Sequence, residues 1–290
     1  MGVGTGWLRL FGCNLTCSGF GQKDPTDPET YDLPYLDFDQ QVNRMEDLPV
    51  WHTGCDSSYS WSRKYRHLAH KEDIKTICDR VQQHMTTPTN PTGTFHHPHS
   101  GVEQHMCFTG GEPLMPLGQK IIVEFIKEMS LRPGGASHRL IKAGNIPEYV
   151  TIETNGTQKL TSTFLDFFGN RGNYPGELFF SVSPKLFTVS GEPAQRAIKP
   201  EVVSQYQVLS PHGQLKFVCG TEERQWDELE EAVQKFRAAG IRYPVWVMSV
   251  GADREMQAET AQKVCEEAFK RGYNFSPRIH VDIWGNTIGV

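Results

Sequence analysis

Two periods alternate along the chain. Runs of apolar and β-branched residues at 7–11, 105–109, 149–153, 178–182, 215–218 and 245–250 are too short for helices and read as strands. Between them, apolar residues recur at helical spacing over 71–85, 117–129, 160–168, 223–239 and 255–270, with Ile74, Ile77, Cys78 and Val81 sharing one face of the first. Continuing the alternation, 279–283 is expected to add one more strand. Strands that alternate with helices predict a parallel sheet wrapped by helices, here six or so βα steps forming an open, partial barrel.

Three stretches break the rhythm. Residues 18–54 are rich in Pro, Asp, Tyr and Gly with no period, and read as an inserted loop. Residues 86–101, rich in Thr, Pro and His, and residues 132–147 read as surface connections. The alternation resumes in phase after each and no repeat is visible, so a single domain over 1–290 is expected.

Composition narrows the function classes. Glycine counted in place of tyrosine gives an apolar share of about 44%, near the globular norm. A net charge of −5 offers no basic field for nucleic acid. No signal peptide and no apolar run long enough for a bilayer is apparent, so no membrane partner is expected. With an odd seven cysteines, the natural setting is a reducing cytoplasm, where Cys78, Cys107, Cys219 and Cys265 stay as packed free thiols.

Cys13 and Cys17 stand apart. In Arg9-Leu10-Phe11-Gly12-Cys13-Asn14-Leu15-Thr16-Cys17, an apolar strand ends at a glycine and delivers two thiols four residues apart. Phe20 occupies the position where a close third thiol would fall, and the next cysteine, Cys55, follows after 37 residues. Closure entropy grows only with the logarithm of loop length, so a long excursion can return to its own base. Three thiolates can hold three irons of a [4Fe–4S] cube and leave the fourth open. The ordinary alternative is that Cys13 and Cys17 are small buried residues at a strand end. His96, His97, His99 and His105 crowd into ten residues, but a Pro/Thr-rich loop is a poor zinc scaffold, so no metal is assigned there.

Polar motifs close the following strands: Thr109-Gly110-Gly111-Glu112-Pro113, Glu153-Thr154-Asn155-Gly156-Thr157 and Ser183-Pro184-Lys185. Strand C-terminal ends line the active site in barrels of this class, so all three should face the cysteines. Together with Cys55-Asp56-Ser57 and the tail from His280 through Trp284-Gly285-Asn286, these motifs make the chain resemble the radical S-adenosylmethionine superfamily. Within it, the chain is similar to the 7-carboxy-7-deazaguanine synthases.

The resemblance implies an α/β fold, a partial (β/α)6 barrel of the radical S-adenosylmethionine type with long loop insertions. It implies a lyase that contracts 6-carboxy-5,6,7,8-tetrahydropterin to 7-carboxy-7-deazaguanine with loss of ammonia. Cys13, Cys17 and Cys55 would hold a [4Fe–4S] cluster, and Asp56, Gly111, Glu112, Thr154, Ser183 and Lys185 would bind S-adenosylmethionine. Arg9, Thr109 and His280 would contact the pterin or its carboxylate. Ser57, where relatives carry threonine, would keep an oxygen ligand for Mg2+. An electron donor such as flavodoxin or ferredoxin is implied, and a homodimer is expected.

Departures from the pattern carry expectations of their own. The aromatic residue that ordinarily precedes the last cysteine is replaced by Gly54, so stacking on the cofactor adenine should come from elsewhere. Relatives begin with another strand and a Gln-Gly-Glu-like segment that touches substrate. The present sequence starts at Met1-Gly2-Val3, so either its start is truncated or another residue recognises the pterin. Two rival readings predict different behaviour: an activase of a glycyl radical enzyme would not respond to the pterin, and a non-enzymatic Cys/His protein would bind zinc in place of iron.

Overall fold

The computed structural model describes residues 3–134, 144–285 and 287. Part of the 132–147 connection, Met1, Gly2 and Asn286 lie outside the described residues. Seven parallel strands lie in chain order: β1 (Thr5–Leu10), β2 (His105–Gly110), β3 (Tyr149–Thr154), β4 (Glu177–Val182), β5 (Gly213–Cys219), β6 (Val245–Ser249) and β7 (Asn274–Phe275). Among the described residues, seven α-helices of six or more residues accompany them: α1 (Ile74–Met85), α2 (Pro116–Ser130), α3 (Ser162–Phe168), α4 (Pro200–Leu209), α5 (Glu223–Ala238), α6 (Arg254–Lys270) and α7 (Ile279–Trp284). β1 and β7 are each paired on one side only, so the sheet does not close on itself.

Strand periodicity explains the layering. In β5 buried and half-buried residues alternate strictly, and β3 and β6 repeat the pattern. One phase, including Met106, Phe108, Val150, Ile152, Phe180, Leu215, Phe217 and Val247, joins Ile122, Phe125, Phe164, Trp226 and Val264 of the helices in one core. The other phase places the polar side chains Arg9, Thr109, Glu153, Gln214 and Lys216 on the opposite face of the sheet. Local signals start the helices: Asp73, Thr161 and Asp253 cap α1, α3 and α6, while Pro116 and Pro200 open α2 and α4.

Two elements differ from the sequence expectation. Residues 279–283 were expected as a strand but lie in helix α7, where only Val281 is buried and Gly285 (φ 64°) caps the end. The seventh ladder position belongs instead to β7, which Pro277, lacking an N–H, helps to keep short. Helix α4 was not anticipated, because its β-branched Val202 and Val203 blur the helical signal.

The 18–54 insertion is a built structure. Tyr35, Leu48 and Trp51 pack with Tyr59, Tyr65 and Leu68 in a second hydrophobic core. Trp51 stacks on Tyr65 at 6.3 Å and meets Phe38 edge-on at 5.4 Å. Among the described residues, no helix is long and apolar enough to cross a membrane.

Candidate active site

The cysteine loop is gathered from three directions. After β1, Gly12 donates its amide to Ser60 and accepts from Glu112 at 2.7 Å, joining the loop to both the Cys55 turn and the Gly-Gly-Glu-Pro turn. A Cβ on Gly111 would sit 2.3 Å from the Gly12 carbonyl oxygen and 2.8 Å from Cys13 Cβ, so only glycine permits this approach. Cys17 adopts φ 50°, unusual for a residue with a side chain. Glu192 stabilises that turn: its Oε1 accepts from the amides of Thr16 (2.6 Å) and Cys17 (2.8 Å).

Cys55 returns to the same place. The amide of Gly54 donates to the carbonyl of Phe20 at 2.7 Å, which closes the insertion at its base. Cys13 and Cys55 then pack against the small cluster formed by Leu15, Cys17 and Ala197. Burial pushes the Cys13 thiol up to about 12 and raises Cys17 and Cys55 too, while the Lys185 ammonium pulls all three back down. Cys17 feels the charge of both other sulfurs.

Three cysteines brought into one small cluster offer the thiolate donors that an iron–sulfur cube takes. No group of three or more His, Cys, Asp or Glu among the described residues is placed to hold a single metal ion. Donors suited to thiolates are also in place, with the amide of Leu15 at 3.4 Å from Cys13 Sγ and the Trp61 indole Nε1 at 3.4 Å from Cys55 Sγ.

The strand-end motifs brace one another around this loop. Both oxygens of buried Glu112 are engaged, one by the Leu114 amide (2.9 Å) and Thr154 Oγ1 (2.7 Å), the other by the Asn155 amide (2.7 Å). Burial raises its pKa to about 7 in spite of these bonds. Asn155 also donates to Asn14 at 3.1 Å, so the Thr-Asn-Gly-Thr turn grips the cysteine loop. Lys185 donates to Ser183 Oγ at 2.9 Å and lies over the Phe20 ring at 5.7 Å. Its charge acts on Glu112, Asp56 and Glu153 as well as on the thiols.

Asp56 and Ser57 form a second polar group. Arg9 donates to Ser57 Oγ at 3.2 Å and packs over Tyr59, and Ser57 donates to Asp56 at 3.3 Å. Burial opposes the charge on Asp56, but Arg278, donating at 3.0 Å, outweighs it together with Arg9 and holds the carboxyl below its ordinary value. This ion pair, with His52 and Asp253 in contact at 3.0 Å, ties the β1 side of the sheet to the β7 side.

The polar side chains of the other sheet face lie beside these groups. Thr109 pairs in register with Arg9, on the same face. Lys216 donates to both oxygens of Glu153, at 3.2 and 2.9 Å, across the intervening strand β4, and Gln214 donates to Ser181 at 2.9 Å. His280 is exposed on α7, yet its partial burial and Arg278 lower its pKa, while Asp56 and Glu153 pull the other way. The structure thus gathers the cysteines, the strand-end motifs, Arg9 and His280 at one end of the sheet.

Sequence reasoning missed Glu192, Arg278, Trp61 and Lys216. Lys216 and Gln214 had a readable signal, since both interrupt an apolar strand in the same phase. Glu192 and Arg278 had none, because each acts on residues more than 170 positions away.

No protein-family model matches the chain. Native anSMEcpe with bound AdoMet superposes at a TM-score of 0.39 with 11% identity, covering 76% of this chain and 59% of that one, less than two thirds of its length. The 7-carboxy-7-deazaguanine synthase of Pyrobaculum aerophilum is 30% identical over 189 residues, which cover 65% of this chain and 68% of the relative. On that similarity the chain belongs to the 7-carboxy-7-deazaguanine synthase family of radical S-adenosylmethionine enzymes.

Proposed function

We propose that the chain converts 6-carboxy-5,6,7,8-tetrahydropterin to 7-carboxy-7-deazaguanine with release of ammonia, a lyase step toward queuosine-type 7-deazapurines. The observation that carries this reading is the closure of the insertion at Phe20 and Gly54, which returns Cys55 to Cys13 and Cys17 beside Lys185. Cys13, Cys17 and Cys55 would hold a [4Fe–4S] cluster with one iron open. When bound, it would supply the low-potential electron for reductive cleavage of S-adenosylmethionine, the chemistry that would permit hydrogen abstraction from C6 of the pterin.

The chain's own residues bind, orient and shield. Gly111 and Glu112 receive the methionine ammonium. A buried carboxyl whose pKa stands near 7 is a suitable seat, because a cation docking there restores its ionised form. Asp56, Thr154, Ser183 and Lys185 contact the remaining polar groups of the cofactor, with the Lys185 ammonium the natural partner of its carboxylate. Arg9 offers paired donors to the substrate carboxylate. Thr109 and His280 flank the pterin, and Glu153 offers a carboxylate to its N–H edge.

Mg2+ at Ser57 would take the oxygen lone pair that Arg9 now holds, so metal binding and Arg9 placement are coupled. Reducing power would come from flavodoxin or ferredoxin in the cytoplasm. A homodimer would cover the exposed apolar residues of helix α7, Ile283 and Trp284, exposed by 60% and 49%.

The test is anaerobic incubation of reconstituted protein with S-adenosylmethionine, reductant, Mg2+ and the carboxytetrahydropterin, followed by mass detection. A deazapurine carboxylate that needs all components supports the assignment. Release of 5′-deoxyadenosine with no deazapurine, whatever the pterin concentration, rejects this substrate.

A further inference from the structure

The cluster reading leaves one feature unused, the indole of Trp61 on the sulfur of Cys55. Trp61 lies six residues beyond Cys55, just after the short 3-10 turn Ser58–Ser60, and its Nε1 donates to Cys55 Sγ at 3.4 Å. Among the described residues, the other side-chain N–H donor to the three sulfurs is Asn155, 3.9 Å from Cys13 Sγ and at the outer limit for such a bond.

The insertion holds that indole in place. Tyr35 meets Trp61 edge-on at 5.8 Å. Tyr35 also stands where the residue before Cys55 would project, since a Cβ on Gly54 would lie 3.5 Å from the Tyr35 ring. Tyr65 locks this arrangement by donating to the Tyr35 carbonyl at 2.6 Å. The second core therefore fixes the donor that faces Cys55.

We propose that Trp61 is a positioning residue that sets the reduction potential of the cluster, and that the 18–54 insertion exists in part to hold it on Cys55. Reduction adds one electron from a low-potential donor without a proton, so negative charge on the sulfurs rises. An N–H dipole pointed at Cys55 Sγ stabilises that charge and favours the reduced state. The inference rests on the cluster reading above.

The experiment is an EPR-monitored potential titration of anaerobically reconstituted full-length protein, wild type against Trp61→Phe, with dithionite as reductant and iron content as control. Trp61→Phe keeps the ring and removes the donor. Its reduction equilibrium should be about tenfold less favourable, a midpoint ~59 mV more negative for one electron. An unchanged midpoint at unchanged iron content overturns the proposal. If the variant does not assemble, wild type carrying 15N-tryptophan decides: the reduced cluster should show hyperfine coupling to an indole nitrogen, and absence of coupling overturns the proposal. Wild-type protein that assembles no four-iron cluster sinks the cluster reading itself, and this inference with it.

Discussion

Gly54 donates its amide to the carbonyl of Phe20 at 2.7 Å, across 34 positions of sequence. That single bond makes Phe20 and Gly54 spatial neighbours, so a chain with a distant third cysteine presents its thiols as if the excursion were absent. Gly21 and His52 form the next rung: Gly21 has φ 68°, and a Cβ there would lie 2.3 Å from the His52 carbonyl oxygen.

Gly21→Ala should therefore open the stem without touching a thiol. Both the left-handed backbone and the contact oppose the methyl group, and the strain acts directly on the return path of Cys55. Iron retained after reconstitution should fall to half or less, whereas Cys265→Ala on α6 should retain the wild-type content. Full iron in Gly21→Ala would show that the stem does not govern the site.

Glu112 predicts a pH dependence with a definite sign. Its folded pKa of about 7 lies above the ordinary 4.5 because of burial, so its contribution to stability is complete below 4.5 and is lost as pH rises to 7. The loss amounts to about 3 kcal/mol. In denaturant titrations from pH 4.5 to pH 8, Glu112→Gln should show a correspondingly flatter profile than wild type. Parallel profiles would mean that the carboxyl titrates normally.

Arg278 acts in the opposite direction on Asp56, whose pKa it holds below 3.8 despite burial. That stability is present above 3.8 and disappears as pH falls through the depressed value. Arg278→Ala should cost about 1 kcal/mol near neutral pH, a figure reduced for solvent screening because the Asp56 side chain keeps 36% exposure. The variant's acid unfolding should begin at higher pH, which circular dichroism would follow.

Ser57→Ala should remove the stimulation by Mg2+ while leaving iron content intact, and Ser57→Thr should strengthen it by fixing the hydroxyl rotamer. Turnover of the chelator-treated wild type that is equal with and without Mg2+ would contradict this.

Much of the frame was legible because strand and helix periods are local. The six long strands fell where apolar runs predicted them, and their polar C-terminal ends marked out the candidate site. Helix α7 was missed because His280-Val281-Asp282-Ile283 alternates like a strand, while tertiary packing buries Val281 alone. The insertion was unreadable for a different reason. Its aromatic core pairs Tyr35 and Trp51 with Tyr59 and Tyr65 from beyond Cys55, so no window within 18–54 contains the pattern. Charges such as Glu192 and Arg278, which hold the site from far along the chain, leave no trace in local spacing.

The most direct test of the central claim is Mössbauer spectroscopy of 57Fe-reconstituted protein before and after addition of S-adenosylmethionine. The three-cysteine cluster reading predicts about four irons per chain as [4Fe–4S], with one iron changing its signal when S-adenosylmethionine binds and the other three unchanged. Stoichiometric zinc with no cluster, or four irons that ignore S-adenosylmethionine, would contradict the account.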